Sequence, residues 1–363
     1  MPKRIYQTMN GLRGLAAVIV VMFHMPEWFG ALTPSRGFLA VDLFFVLSGF
    51  VIALSYEDQF KSNLTPKRFF IIRMIRLYPL YAIGSLIQIV VLFMSLYFKK
   101  TIIDQNIKGW ISIPFALAML PTPDFSNSSA VFYPLNHPAW SLFCEVFINM
   151  VYVATWRWWS TKNIAIIMVT IGSLMLARPE FCNGGGFSWE DIDVGIVRVF
   201  YSFPAGVLIY RLLSANKVRF PHINSFAVLG ALPILLMLPG EWVARFCVLF
   251  GFPFLAFVAA QSEPTVLIRP LFAALGAASY AIYVIHIPLI HLVSPTLIKL
   301  GFIMKSQLIE GVFLVVAIVL VSLLIDAIFD TPIRRFLSRA FLRPHTPEPV
   351  QSAVQPPLSE ARE

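Results

Sequence analysis

Apolar runs of bilayer-crossing length follow one another along almost the whole chain, at roughly residues 12–32, 37–56, 78–98, 139–157, 163–177, 193–211, 224–239, 242–260, 271–298 and 308–330. A helix of ~20 apolar residues crosses the hydrocarbon core of a membrane. Composition agrees: 58% of residues are hydrophobic and 13% charged, where a soluble domain carries about 25% charged residues. An eleventh run, 108–121, is short, contains Pro114 and leads into the polar stretch PTPDFSNSSAVFYPLNHP. A run of that length reads as re-entrant or interfacial. The expected fold is an all-α membrane protein of about ten transmembrane helices with both termini on one side.

The charges orient the bundle. The net charge is +9, but the basic residues fall in short clusters near 61–76, 157–162, 211–219 and 334–343. That spacing suits a cytoplasmic membrane face rather than nucleic acid. Both termini are therefore expected in the cytoplasm, with 99–138 and 178–192 outside. If 108–121 spanned, the later clusters would all invert. Residues 1–335 read as one membrane-embedded domain, and 336–363 as a polar, proline-rich cytoplasmic tail without fixed structure. Lys3 and Arg4 precede the first run, but Arg13 interrupts it and no small-residue cleavage site follows, so it reads as a retained helix. Cys144, Cys182 and Cys247 give neither a disulfide framework nor a metal spacing. No phosphate loop, dinucleotide fingerprint or nucleophile elbow is present.

What remains is a set of polar residues at membrane depth: Arg13, His24, Asp42, Arg73, Arg76, Glu145, Arg198, His286 and His291. Ionisable groups there are costly, and they read as functional unless a structural partner explains them. In NGLRGLAAVIVVMFHM, Arg13 and His24 return to nearly one helix face, about 16 Å apart along the axis. In GFLAVDLFFVLSGFVIALS, Asp42 needs a partner, while Ser48 and Gly49 suit close helix packing. The connection 57–77 ends in KRFFIIRMIRLYP. Its Arg73 and Arg76 share a face and suit phosphate, though lipid head groups would take the same charges. Glu145 follows Trp140 and Ser141 in HPAWSLFCEVF. His286 follows Tyr280 and Tyr283 in ALGAASYAIYVIHIPLIHL, where Pro288 frees a backbone carbonyl.

Taken together, these segments resemble the acyltransferase-3 family of integral membrane acyltransferases. The resemblance rests on Arg13 with His24, the aspartate segment holding Asp42, the Arg73/Arg76 pair, WSLFCE with Glu145, and SYAIYVIHIP with His286. The segments occur in the family's order from about residue 6 to 335. Arg36 and Ala40 stand where glycine is common, and no fused esterase-like domain is expected.

The resemblance implies transfer of an acyl group, most often acetyl, from acyl-CoA to hydroxyls of a cell-surface glycan or its lipid-linked precursor. It places the protein in the inner (plasma) membrane, in contact with lipid and with polysaccharide assembly proteins as candidate partners. Arg73, Arg76 and Arg13 would hold the coenzyme A phosphates, and His24 would act as base or acyl acceptor. Asp42 or Glu145 would orient His24 or its substrate, with His286, Tyr283, Trp140 and Ser141 in support. No metal is expected. Two other classes compete: a proton-coupled transporter relaying through His24, Glu145 and His286, and a non-catalytic scaffold of a glycan assembly complex.

Overall fold

The structure is a computed structural model describing residues 6–62, 64–97, 109–124, 131–215, 221, 223–299 and 307–342. Within them the architecture is helical, the one β-contact being an isolated bridge between Val131 and Ser188. The helices are α1 (Gln7–Phe23), α2 (Pro26–Phe29), α3 (Ala40–Lys61), α4 (Pro66–Tyr97), α5 (Gly109–Leu117), α6 (Ala139–Thr155) and α7 (Thr161–Ala177). They continue as α8 (Ile192–Ser214), α9 (Ser225–Met237), α10 (Glu241–Phe246), α11 (Phe252–Gln261), α12 (Arg269–Lys299), α13 (Gln307–Ile325) and α14 (Thr331–Phe341).

Seven helical stretches are long and apolar enough to cross a membrane, or eight when the bent pair formed by α1 and the Pro26–Leu32 segment counts as one. α7 and α9 are shorter apolar helices. α5 is nine residues long, about 13 Å at 1.5 Å per residue, too short to cross a ~30 Å core. Large apolar side chains such as Val90, Phe93, Val169, Ile234, Phe313 and Leu320 stand exposed on the outer helix faces. In water such a surface would be an aggregation hazard, whereas against lipid it is the expected exterior.

Small residues let the central helices close on one another. α3 and α8 touch backbone to backbone: a Cβ added to Gly49 would lie 2.0 Å from the Phe203 carbonyl oxygen, and one added to Gly206 would lie 1.9 Å from that of Val46. Without a hydrophobic drive between helices in lipid, close packing at such positions is a main source of association. α1 packs along α12 in the same way, with Gly14 against Leu275 and Gly276 against Asn10.

Three boundaries differ from the sequence expectation. The first run does not continue as one helix over 12–32. α1 ends at Phe23, and the chain turns by 88° into the Pro26–Leu32 segment. Pro26 causes the turn: a residue before proline is driven out of the helical region, and Met25 sits at φ −128°, ψ 47°. His24 thus caps the end of α1 instead of lying inside it. The expected cytoplasmic connection 57–77 is mostly helix as well, since α4 starts at Pro66, with proline at a position where its missing N–H costs nothing. Finally, residues 336–341, expected in the tail, are the last turns of α14, while 343–363 lie outside the described residues.

α13 runs into α14 through one wide π-turn at Asp326–Asp330, and α10 runs into α11 through another at Cys247–Gly251.

Candidate active site

Two cavities lie between the central helices. The first, about 250 Å³, is lined by His24, His137, Trp140, Asn183, Phe187 and Arg198 among others. In it His24 Nδ1 is 2.9 Å from the Val20 carbonyl oxygen and 3.4 Å from His286 Nε2. His286 Nδ1 in turn faces the Tyr283 and Ile282 carbonyls at 2.8 and 3.1 Å. A carbonyl only accepts, so each Nδ1 that faces one carries its proton. That fixes both tautomers. His286 Nε2 presents a lone pair toward the Nδ1–H of His24, and His24 Nε2 is left unprotonated, the form a general base requires.

The wall of this cavity is an ion pair. Arg198 of α8 donates to Asp42 of α3 from Nε at 3.1 Å and from Nη2 at 2.6 Å, and the two side chains are 1% and 0% exposed. The same guanidinium donates to the Gly185 carbonyl at 2.7 Å and lies 5.5 Å from the Trp140 ring centre. Gly186 shows why this loop is glycine: its φ is +96°, and a Cβ would lie 2.5 Å from the Gly195 Cα and 2.9 Å from the Trp140 ring. His137 faces Phe187, ring centres 5.0 Å apart. Burial, and then the nearby His24, push the His137 imidazole down to about 4, so it is neutral at pH 7.

The second cavity, about 150 Å³, is lined by Arg13, Arg73, Arg76, Glu145, Ser48 and Tyr280 among others. Arg13 is held by neutral groups of α12, donating from Nε to Ser279 at 2.9 Å and from Nη2 to the Gly276 carbonyl. Arg73 pairs with Glu145 at 2.5 Å, and Ser48 donates to the same carboxylate oxygen at 2.8 Å. Arg76 lies 3.6 Å from Asp330, which Arg334 also meets at 2.7 Å, and 5.6 Å from the Tyr280 ring centre. Among the described residues, Arg73 Nε is buried without a hydrogen-bond partner, and Arg76 Nη1 has only the 3.6 Å ion pair with Asp330. Buried donors are nearly always satisfied, so an idle Arg73 donor and a loosely paired Arg76 on one cavity mark a place for an acceptor-rich ligand.

Val41 and Tyr283 line both cavities. The Tyr283 hydroxyl is 2.6 Å from Ser141 Oγ and donates to the Pro138 carbonyl at 3.2 Å.

The structure thus gathers the residues singled out from sequence into two groups, with Arg13 and His24 on different cavities. No carboxylate meets His24 among the described residues. Asp42 is taken by Arg198, and Glu145 by Arg73 and Ser48, so the neighbour of His24 is His286. Ser48, read as packing alone, also makes a hydrogen bond, while Gly49 is indeed a packing residue. α12 continues through Pro288 without a break. His291 bonds Gln88 at 3.1 Å instead. Arg36, at a position where glycine is common, donates to the Leu238 and Gly240 carbonyls.

Sequence reasoning gave no role to His137 or to the glycine run 184–186, and it left Arg198 without a partner. The only signal was a histidine and a run of three glycines in the two loops expected on one face of the membrane.

The profile described as an acyltransferase domain matches residues 6–327. The chain belongs to the acyltransferase-3 family. It is a multi-pass membrane O-acyltransferase. Among relatives of this acyltransferase, "Protein 2 in picA locus" of Rhizobium radiobacter is 36% identical over 50% of the chain and 98% of that protein. "Acyltransferase MdmB" of Streptomyces mycarofaciens is 25% identical over 99% and 98%. "Peptidoglycan O-acetyltransferase OatA" of Listeria monocytogenes is 26% identical over 90% of the chain, which spans 56% of that relative. No solved structure matches the chain. Nothing in these similarities supports the transporter reading.

Proposed function

We propose that this acyltransferase moves a short acyl group, acetyl in the first instance, from acyl-CoA in the arginine cavity to a hydroxyl of a cell-surface glycan or its lipid-linked precursor in the histidine cavity. The observation that carries the reading is the pair of cavities meeting at Val41 and Tyr283, with Arg13, Arg73 and Arg76 on one side and, on the other, the unprotonated His24 nitrogen beside an Arg198 already neutralised by Asp42. An anionic donor and a neutral hydroxylic acceptor need opposite surroundings, and these two spaces differ in that way. The peptidoglycan acceptor named for the Listeria relative supports a glycan here.

In this mechanism Arg73 gives its idle donor, and Arg76 its loosely paired one, to the coenzyme A phosphates. Arg13, which donates to Ser279 and the Gly276 carbonyl and forms no ion pair with a carboxylate among the described residues, suits the oxygen of the thioester carbonyl as negative charge grows there. His24 Nε2 takes the proton of the attacking hydroxyl, and His286 Nε2 steadies the imidazolium through its Nδ1–H. The C–S bond breaks, and the departing sulfur takes the proton from His24. Asp42 with Arg198 holds the acceptor wall in shape. Glu145 sets the position of Arg73.

The orientation we propose has ten spans: the seven long stretches, the bent pair, α7 and α9. Both termini face the cytoplasm, so the arginine cavity opens toward the acyl-CoA pool of a plasma (inner) membrane. Residues 1–335 act as the catalytic domain. Feeding inverted membrane vesicles with radiolabelled acetyl-CoA tests the reading: alkali-labile label should accumulate with the native chain and not with His24→Ala. Equal labelling by both would overturn it.

A further inference from the structure

We infer that Val41 of α3 and Tyr283 of α12 form the aperture through which the acyl group passes, and that they set the length of acyl chain the enzyme accepts; this rests on the reading above. They are the two side chains common to the cavities, and both are nearly buried, at 5% and 6% exposure. The Tyr283 ring is held at its hydroxyl and against Phe44. Its hydroxyl is tied to Ser141 and the Pro138 carbonyl, and it meets Phe44 edge-on at 5.4 Å between ring centres. It cannot swing away without breaking the hydrogen bonds of its hydroxyl to Ser141 and the Pro138 carbonyl.

Val41, in contrast, presents a short branched side chain with no polar tether. The aperture therefore has one fixed edge and one edge whose size depends on a single residue. Phosphates anchored at Arg73 and Arg76 leave the thioester directed at this partition, and the acyl chain must enter it before the acceptor oxygen meets the carbonyl carbon. The bond formed is O–C and the bond broken is C–S, with the proton carried by His24 to sulfur, so no further reactant is needed. Each added methylene must displace packed atoms of Val41 or of the Tyr283 ring. In a close-packed site one methylene is worth ~10- to 200-fold in selectivity.

The test uses inverted vesicles carrying the full chain, supplied separately with acetyl-, propionyl- and butyryl-CoA, and reads the acyl esters that alkali releases. The native chain should use acetyl-CoA over butyryl-CoA by at least ~10-fold. Val41→Ala should raise the butyryl-to-acetyl ratio by ~10-fold, and Val41→Ile, one methylene in the other direction, should lower the propionyl-to-acetyl ratio by a similar factor. Ratios unchanged in both variants, with acetyl transfer retained, would overturn the aperture while leaving the acyl-CoA reading intact. If the native chain used none of the three donors, that reading would itself fall, and the aperture with it. Because a ratio is independent of how much protein inserts, poor yield of one variant does not decide the question.

Discussion

Asp42 accepts from two nitrogens of one guanidinium edge of Arg198, at 3.1 and 2.6 Å, and neither side chain reaches the surface. Removing one partner of a buried pair strands the other, which typically costs ~3–5 kcal/mol, whereas replacing both with apolar residues is often close to neutral. Asp42→Ala should therefore lower the yield of folded protein in detergent and its melting temperature. Asp42→Leu combined with Arg198→Leu should recover most of the stability but not acyl transfer. If Asp42→Ala melted like the native protein and lost only activity, the carboxylate would act on the reaction directly.

His24 and His286 should differ in the size of their effects. Loss of a positioned base costs ~100- to 10,000-fold in rate, so His24→Gln should insert normally and fail to acylate. His286→Gln keeps an acceptor toward the His24 Nδ1–H and should retain more transfer than His286→Ala. His291→Ala, whose partner is Gln88, should retain more activity than His24→Ala. Acyl-ester content normalised to inserted protein is the measurement, and a fully active His24→Gln variant would rule out proton transfer by this residue.

Arg73 and Arg76 should act on donor affinity. Each contact with a charged group is worth ~1.5–3 kcal/mol, so Arg76→Ala should raise KM for acyl-CoA by ~10- to 100-fold. Lysine should rescue only in part, because it lacks the planar fork. At Arg73 the alanine variant also strands Glu145, and a second change, Glu145→Gln, should recover part of the protein yield. An unchanged KM in both alanine variants would remove the phosphate role.

Topology can be read by labelling single introduced cysteines, since Cys144, Cys182 and Cys247 are all buried. An impermeant reagent added outside should modify a cysteine at Ser126 and spare one at Asn216 or Ser352. Labelling at Asn216 would refute ten spans with cytoplasmic termini.

His137 predicts a pH dependence of stability. Its imidazole titrates near 4 in the folded protein, against an ordinary value of 6.5, chiefly through burial and then through His24, with Asp191 opposing. Between these values the unfolded chain binds the extra proton, so folded stability falls as pH drops from about 6.5 to about 4. His137→Gln should flatten that part of the curve of melting temperature against pH. A curve of unchanged slope would show that His137 is not the group responsible.

The helical fold was legible because a bilayer leaves so few choices: apolar run length and the spacing of basic clusters predict the elements nearly one for one. The polar residues at membrane depth were legible for the same reason, since Asp42, Arg73 and His286 have no inexpensive place to be. Their pairing was not. Asp42 and Arg198 are 156 residues apart, and nothing in period or spacing says that α3 and α8 lie backbone to backbone. The division into two cavities was hidden too, because it depends on Pro26 ending α1 at His24, where apolarity alone continues the run. His137 sits in a loop, and its chemistry comes from what folds over it.

The wide turn at Asp326–Asp330 has a consequence for changes in chain length. A π-turn holds one residue more than the α-helical turn it replaces while leaving the helix on either side in phase. Deleting the exposed Ile328 should tighten the turn and leave Arg334 on the same face, still able to reach Asp330 beside Arg76. Deleting the exposed Val316 from the regular part of α13 would rotate all that follows by ~100° and tear the same cluster apart. Two single-residue deletions on one lipid-facing helix should thus have opposite fates, and relatives that differ in length by one residue here can still hold the same arginine against Asp330.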